Sequence, residues 1–139
     1  MDRASVEQVI REGYAARLRG DVDMTCDYFC DDASFTIAGS PDASPVASSV
    51  RGCGNIRGAL AGLMGAFEFL DHEFLDVVVE GDRAAVHSRV RLRATATGEE
   101  AETDFVDLIT VRDGKIQSFV QFCDTARAAQ LLASAPASG

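Results

Sequence analysis

Apolar positions recur along this chain at two different periods, and the change of period divides it. In the first half the period is helical. Val6, Val9, Ile10 and Gly13 share one face, the spacing of an amphipathic helix. Ser5-Val6-Glu7-Gln8 has the form of a capping box at its start, and Gly20 suits a left-handed cap at its end. Asp21 can cap a second helix with a buried stripe of Val22, Cys26 and Phe29, stopped by Asp31-Asp32. A short strand is predicted from Ala33 to Ala38. Gly39 to Ser49 is rich in Ser, Pro, Gly and Ala and reads as a loop, either a lid or a plain connector. A third helix carries Ile56, Leu60, Leu63, Met64 and Phe67 on one face. Its Gly58, Gly62 and Gly65 each cost up to about 1 kcal/mol against alanine, a cost that close packing on a sheet would offset.

After Leu70 the period falls to two. Four extended runs follow: Glu73 to Glu80, Arg83 to Thr97, Ala101 to Arg112, and Lys115 to Cys123. Gly81-Asp82, Thr97-Gly98 and Asp113-Gly114 separate them, and Gly-X and Asp-Gly pairs accept the positive φ of tight hairpins. The prediction is an antiparallel meander. Asp124 can cap a last helix to about Leu132, and Ser134 to Gly139 reads as a disordered tail. The expected organisation is one domain over residues 1–133.

Composition narrows the partners. The chain has 139 residues, 47% hydrophobic and 25% charged, with a net charge of −9, the profile of one ordinary globular domain. The acidic balance argues against nucleic acid and anionic membranes, which favour basic faces. No apolar run is long enough to span a bilayer. The amphipathic start lacks the apolar core of a signal peptide, so the expected location is the cytoplasm. Cys26, Cys30, Cys53 and Cys123 lack the tight pairing with histidine or cysteine partners that metal sites show. Cys26 and Cys30, four apart, would share one face of the second helix. Reduced, mostly buried thiols are expected, with no metal and no organic cofactor.

The segments YAARLRGD, YFCDDASFTIAG, GNIRGALAGL and VRDGKIQSFVQFCDTA resemble, in order and spacing, the SnoaL-like (nuclear-transport-factor-2-like) group. That group includes polyketide cyclases, ketosteroid isomerases and limonene-epoxide hydrolases. The resemblance runs from about Val6 to Leu132. It implies an α+β cone: a strongly curved antiparallel sheet packed against N-terminal helices, with an open mouth suited to a ligand. Its motifs mark helix ends and a hairpin, so they speak for fold more than for function.

The group's chemistries can be tested by position. Epoxide hydrolysis there uses two carboxylates bridged by an arginine. The arginine falls on Arg89, but the carboxylates fall on Arg91 and Gln121, and the water-orienting tyrosine and asparagine on Phe35 and Ile37. An arginine and an amide do not exchange protons near neutral pH, so that activity is excluded. The isomerase base falls on Ile37. The isomerase tyrosine lies one residue from Tyr14, and its second oxyanion donor, a neutral aspartic acid, falls on Asp107. The cyclase aspartate falls on Gln121. Dehydratases of related fold need two histidines. This chain has only His72 and His87, and His72 is expected at a strand edge, outside the cone.

Alternation gives the sheet two faces. One carries His87, Arg89, Arg91, Phe105, Asp107, Ile109, Phe119, Gln121 and Cys123; the resemblance places it inside. The other carries Val86, Ser88, Val90, Leu92, Val106, Leu108, Val120 and Phe122, suited to pairing with a second copy, and dimers through that surface are common in the group. The opposite assignment, with the aliphatic face as core, is also physically consistent. With the polar face inside, Asp107 pairs with the arginines as structure. Alternatively, in a catalytic site on a small organic, anionic or enolisable molecule, Asp107 or His87 moves the proton while Arg89, with Arg91, holds carboxylate or enolate oxygens. Arg91, Gln121 and Tyr14 would then bind it, with Phe35, Phe67, Phe105 and Phe119 as an apolar wall. Cofactor-independent isomerase, lyase or cyclase chemistry is one outcome; a non-catalytic ligand-binding or association module is the other.

Overall fold

The computed structural model describes residues 2–133, so the predicted tail at 134–139 lies outside the described residues. Helix α1 spans Arg3–Leu18. Its cap is Asp2, whose carboxylate accepts from the Ser5 N–H at 2.8 Å, so the predicted Ser5 box sits one turn inside the helix. Helix α2, Val22–Asp27, is capped by Asp21 as expected, through the Met24 N–H at 2.9 Å. It stops before Tyr28, and strand β1 (Phe29–Ile37) already contains Asp31-Asp32. Cys26 and Cys30 therefore belong to different elements rather than to one helix face. A short β2, Ser48–Arg51, folds back on β1 and takes in the last two residues of the segment read as a loop.

Helix α3 runs Cys53–Ala66 and passes directly into β3, Phe67–Glu80. Ile56 and Leu60 bury its inner face. Gly58, Gly62 and Gly65 do not pack on the sheet: a Cβ at any of them would meet nothing within 4 Å. The expected compensation is missing, because these glycines lie on the exposed side. Replacing Gly58 and Gly62 together with alanine should then stabilise the fold by about 1–2 kcal/mol. A rise in the thermal midpoint would show it, and an unchanged or lower midpoint would mean the glycines serve another contact.

Strands β4 (Arg83–Ala94), β5 (Glu100–Arg112) and β6 (Lys115–Phe122) complete the meander, and α4 (Thr125–Ala133) follows. Asp113 and Gly114 take φ of 52° and 80°, the doubly left-handed turn that an Asp-Gly hairpin requires. The sheet order is β2-β1-β6-β5-β4-β3. All neighbours are antiparallel except β1 and β6, which run parallel with Phe35 opposite Phe119 and Ile37 opposite Gln121. The helices cover one face of this mixed sheet, and the core lies between them: Val6, Ile10 and Ile56 against Val86, Val90, Ile109 and Val111.

Bulges set which side chains reach that core, since one extra residue reverses the alternation. In β3 the register shifts between Phe69 and Asp71 and again between Phe74 and Asp76. Inward positions are consequently Phe67 and Phe69, then His72 and Phe74, then Val77 and Val79, all packed in or against the core except His72, which stacks beside it.

Candidate functional site

Asp107 is the one charged-type side chain fully buried among the described residues, with 0% exposure, in the middle of β5. Across the strands it stands in a row with Ile37, Gln121 and Val86. Water cannot reach it, and burial penalises the charged form. Its carboxyl is pushed up to about 7 by that desolvation, against the opposing pull of hydrogen bonds from Tyr14 and Gln121. The Tyr14 hydroxyl meets Asp107 Oδ2 in a short hydrogen bond. Oδ1 is buried with no hydrogen-bond partner among the described residues.

Tyr14 arrives from the inner face of α1. Its ring stacks on His72 at 4.9 Å and meets Phe74 edge-on at 5.3 Å. Burial and the facing Asp107 raise the Tyr14 hydroxyl well above its ordinary value, so it stays protonated. Burial also lowers the His72 imidazole, and its Nε2 has no hydrogen-bond partner. His72 is thus a neutral ring bracing Tyr14. It does lie on the edge strand, but turned inward, not outside as expected, because of the β3 bulge.

In front of this group lies a cavity of about 110 Å³. Tyr14 and Gln121 open onto it with Phe35, Phe67, Phe105 and Phe119. Asp107 does not; it stands one layer behind, reached through Tyr14. The wall is apolar apart from Tyr14, Tyr28, Gln121, Arg17, Thr25, Cys123 and Asp124. The Cys123 thiol is raised to about 11 by burial and neighbouring carboxylates, which leaves almost no thiolate for nucleophilic attack. Asp124 at the rim caps α4 through the Arg127 N–H at 2.9 Å.

The two chemical states of the Tyr14–Asp107 pair present different faces to the cavity. With Asp107 ionised, the tyrosine proton points back at the carboxylate, and the phenol oxygen can only accept from a ligand. With Asp107 protonated, the carboxyl can donate to the phenol oxygen, freeing the Tyr14 O–H to donate into the cavity. Because Asp107 sits near 7, both states are populated around neutral pH.

The arginines and His87 are elsewhere. Arg89 pairs with Asp104 at 3.0 Å, His87 with Asp104 at 2.9 Å, and Arg91 with Glu100 at 3.5 Å. All three lie on the outer face, in water. The β4–β5 register sets odd residues of β4 opposite even residues of β5: Ser88 faces Phe105, and Val86 faces Asp107. The grouping of His87, Arg89 and Arg91 with Asp107 was therefore wrong by one residue in β4, while the β5 and β6 residues of that face do point inward. An Arg89–Asp107 pair does not exist. The inner face of β4 carries Ala84, Val86, Ser88, Val90 and Leu92, with no charge at all, so the epoxide-hydrolase arrangement loses its arginine too.

The profile of the SnoaL-like domain matches residues 10–119 of this chain. The chain belongs to the SnoaL-like family. Among solved structures, an NTF2-like protein from Burkholderia xenovorans is 24% identical with a TM-score of 0.74, over 93% of this chain and 98% of that one. TerC, crystallised with polyporic acid, is 20% identical with a TM-score of 0.80, covering 94% and 99%. An LEH-like epoxide hydrolase from M. tuberculosis is 15% identical with a TM-score of 0.73, covering 94% of each. These likenesses establish the fold alone. A search of curated proteins finds no match. Among the described residues of this SnoaL-like chain, no helix is long and apolar enough to cross a membrane, and no group of His, Cys, Asp and Glu is placed to hold a metal.

Proposed function

We propose that this SnoaL-like protein binds a small, mostly apolar organic molecule and hydrogen-bonds one of its oxygens through Tyr14 and Gln121, with Asp107 setting the proton on Tyr14. The observation that carries this reading is the buried Tyr14–Asp107 pair at the back of an apolar cavity. A donor held in a dry site stabilises charge growing on a carbonyl oxygen far better than water does. A carboxyl near 7 is also matched to proton transfer at neutral pH. Both suit cofactor-independent isomerase, lyase or cyclase chemistry on a carbonyl compound. That a neighbour of the same fold was crystallised with an organic acid is consistent with an organic occupant.

A non-catalytic version of the same site is favoured by one feature. The position where an isomerase of this group keeps its base is Ile37, which is buried against Gln121 in the cavity wall. Native mass spectrometry of the purified protein, with release of any carried molecule, tests the shared claim. An organic molecule with one buried oxygen, lost in Tyr14→Phe, is the expected result. A chain that carries nothing and binds no phenol overturns it.

The outer face of the sheet supports a second proposal, a homodimer. Val106, Leu108 and Phe122 on the central strands are 39%, 46% and 48% exposed. The same face carries Arg89 paired with Asp104 and Glu102, cations and anions together that a two-fold axis can set against each other. Val90, assigned earlier to this surface, is instead fully buried in the core. Leu108→Glu should therefore yield monomers in sedimentation velocity. An unchanged dimer, or a wild type that is already monomeric, would rule this interface out.

A further inference from the structure

Helix α1 lays Ile10, Gly13, Tyr14 and Arg17 along the cavity, the i, i+3, i+4, i+7 pattern of a buried helical stripe. An arginine is out of place on such a stripe. A guanidinium offers five N–H donors and normally finds carboxylates or carbonyls for them. Arg17 has no ion pair and no side-chain hydrogen bond among the described residues, whereas Arg11, Arg57, Arg89, Arg91, Arg93, Arg112 and Arg127 each pair with an acid. Its one evident contact is with the Phe69 ring, whose centroid lies 3.7 Å from Cζ. That contact attracts the cation but leaves the donors at the guanidinium edge unmade. Burial pulls Arg17 down to about 10, which still leaves it charged at neutral pH. Its place in the last turn of α1 is favourable for a cation, yet any exposed arginine there would gain the same.

We infer that the ligand is an anion, a ring carboxylate held at one end by Arg17 and at the other by Tyr14 and Gln121. This inference rests on the small-molecule reading above and names the class of molecule. A single ring suits the wall between them, which Phe35, Phe67, Phe105 and Phe119 line. Phe69, itself 5.9 Å from Phe105, covers one face of the guanidinium, and the unmade donors at its edge suit a two-point contact with carboxylate oxygens.

The experiment compares 4-hydroxybenzoate with phenol by calorimetric titration against the wild type, Arg17→Met and Arg17→Lys. Methionine keeps the apolar stem and suits the buried stripe, so the fold should survive. The wild type should bind the acid at least about tenfold more tightly than phenol, the size of one charge-assisted contact. Arg17→Met should erase that preference while leaving phenol binding unchanged, and Arg17→Lys should restore part of it. Phenol binding without preference for the acid, or an equal preference in Arg17→Met, overturns the role of Arg17 alone. Failure of both rings to bind the wild type overturns the small-molecule reading and this inference with it.

Discussion

Asp107→Asn should make the protein more stable at alkaline pH and change little in acid. Asp107 is neutral in the folded chain up to about 7, but in the unfolded chain it ionises near the ordinary carboxylate value of 3.8. Between those values the folded state holds a proton that the unfolded state has released. Stability therefore falls as pH rises through that window and levels off above it. The total loss is on the order of 4 kcal/mol, at about 1.4 kcal/mol per pH unit. An asparagine never ionises, and its carbonyl oxygen still accepts from Tyr14. Urea unfolding of both proteins at about pH 4 and about pH 8 isolates the effect. The two curves should nearly coincide at the lower pH and separate by several kcal/mol at the higher. His72, lowered by burial, contributes in the opposite sense, weakening the fold as pH falls, but it does so equally in both proteins and cancels. A difference that is the same at both pH values would mean that Asp107 is ionised in the fold, and the two-state picture of Tyr14 would go with it.

Phe119→Ala should cost about 3–5 kcal/mol, the usual range for deleting a buried aromatic ring. Phe119 stacks on Phe35 at 5.4 Å, tilts against Phe29 at 6.2 Å, and lies 6.4 Å from the Tyr14 ring. It thus joins the β1–β6 pair to the site. Its loss widens the cavity from the side facing Tyr14, so the variant that still folds should prefer 2-naphthol to phenol where the wild type does not. A cost below about 1 kcal/mol would show that the ring has little packing to lose. Loss of stability with no change in ring preference would mean that the site is walled by other residues.

The elements were legible where local chemistry acts alone. The α1 stripe, the Asp21 and Asp124 caps and the Asp113-Gly114 turn all stand where their residues demand. Tyr14, Gln121, Asp107 and the four phenylalanines were also recognisable, and they do gather at or behind one cavity. What failed was parity. The charge ladder of Arg89 and Arg91 with Glu100, Glu102 and Asp104 was visible as opposite charges on the two arms of one hairpin, which favours cross-strand pairing on a shared face. That pairing puts the arginines with Asp104, hence away from Asp107. His72 was hidden for a different reason: two bulges in β3 are a property of how the strand bends over α1, and no residue type announces them. Arg17 did carry a signal. It is a lone cation in register with Ile10 and Tyr14 on a helix face otherwise destined for the core.

The parallel pairing of β1 with β6 imposes an order of events on the growing chain. Every other neighbour in the sheet is joined by a short connection or a hairpin, so those contacts close over little chain and cost little entropy. Strand β1 is made early and can dock only when β6, near the end of the sequence, has been made. Until then Phe29, Phe35 and Ile37 have no sheet to enter. The β3–β6 meander can form first from local contacts, and the N-terminal third then closes onto it, so that the cavity is the last part of the molecule to exist.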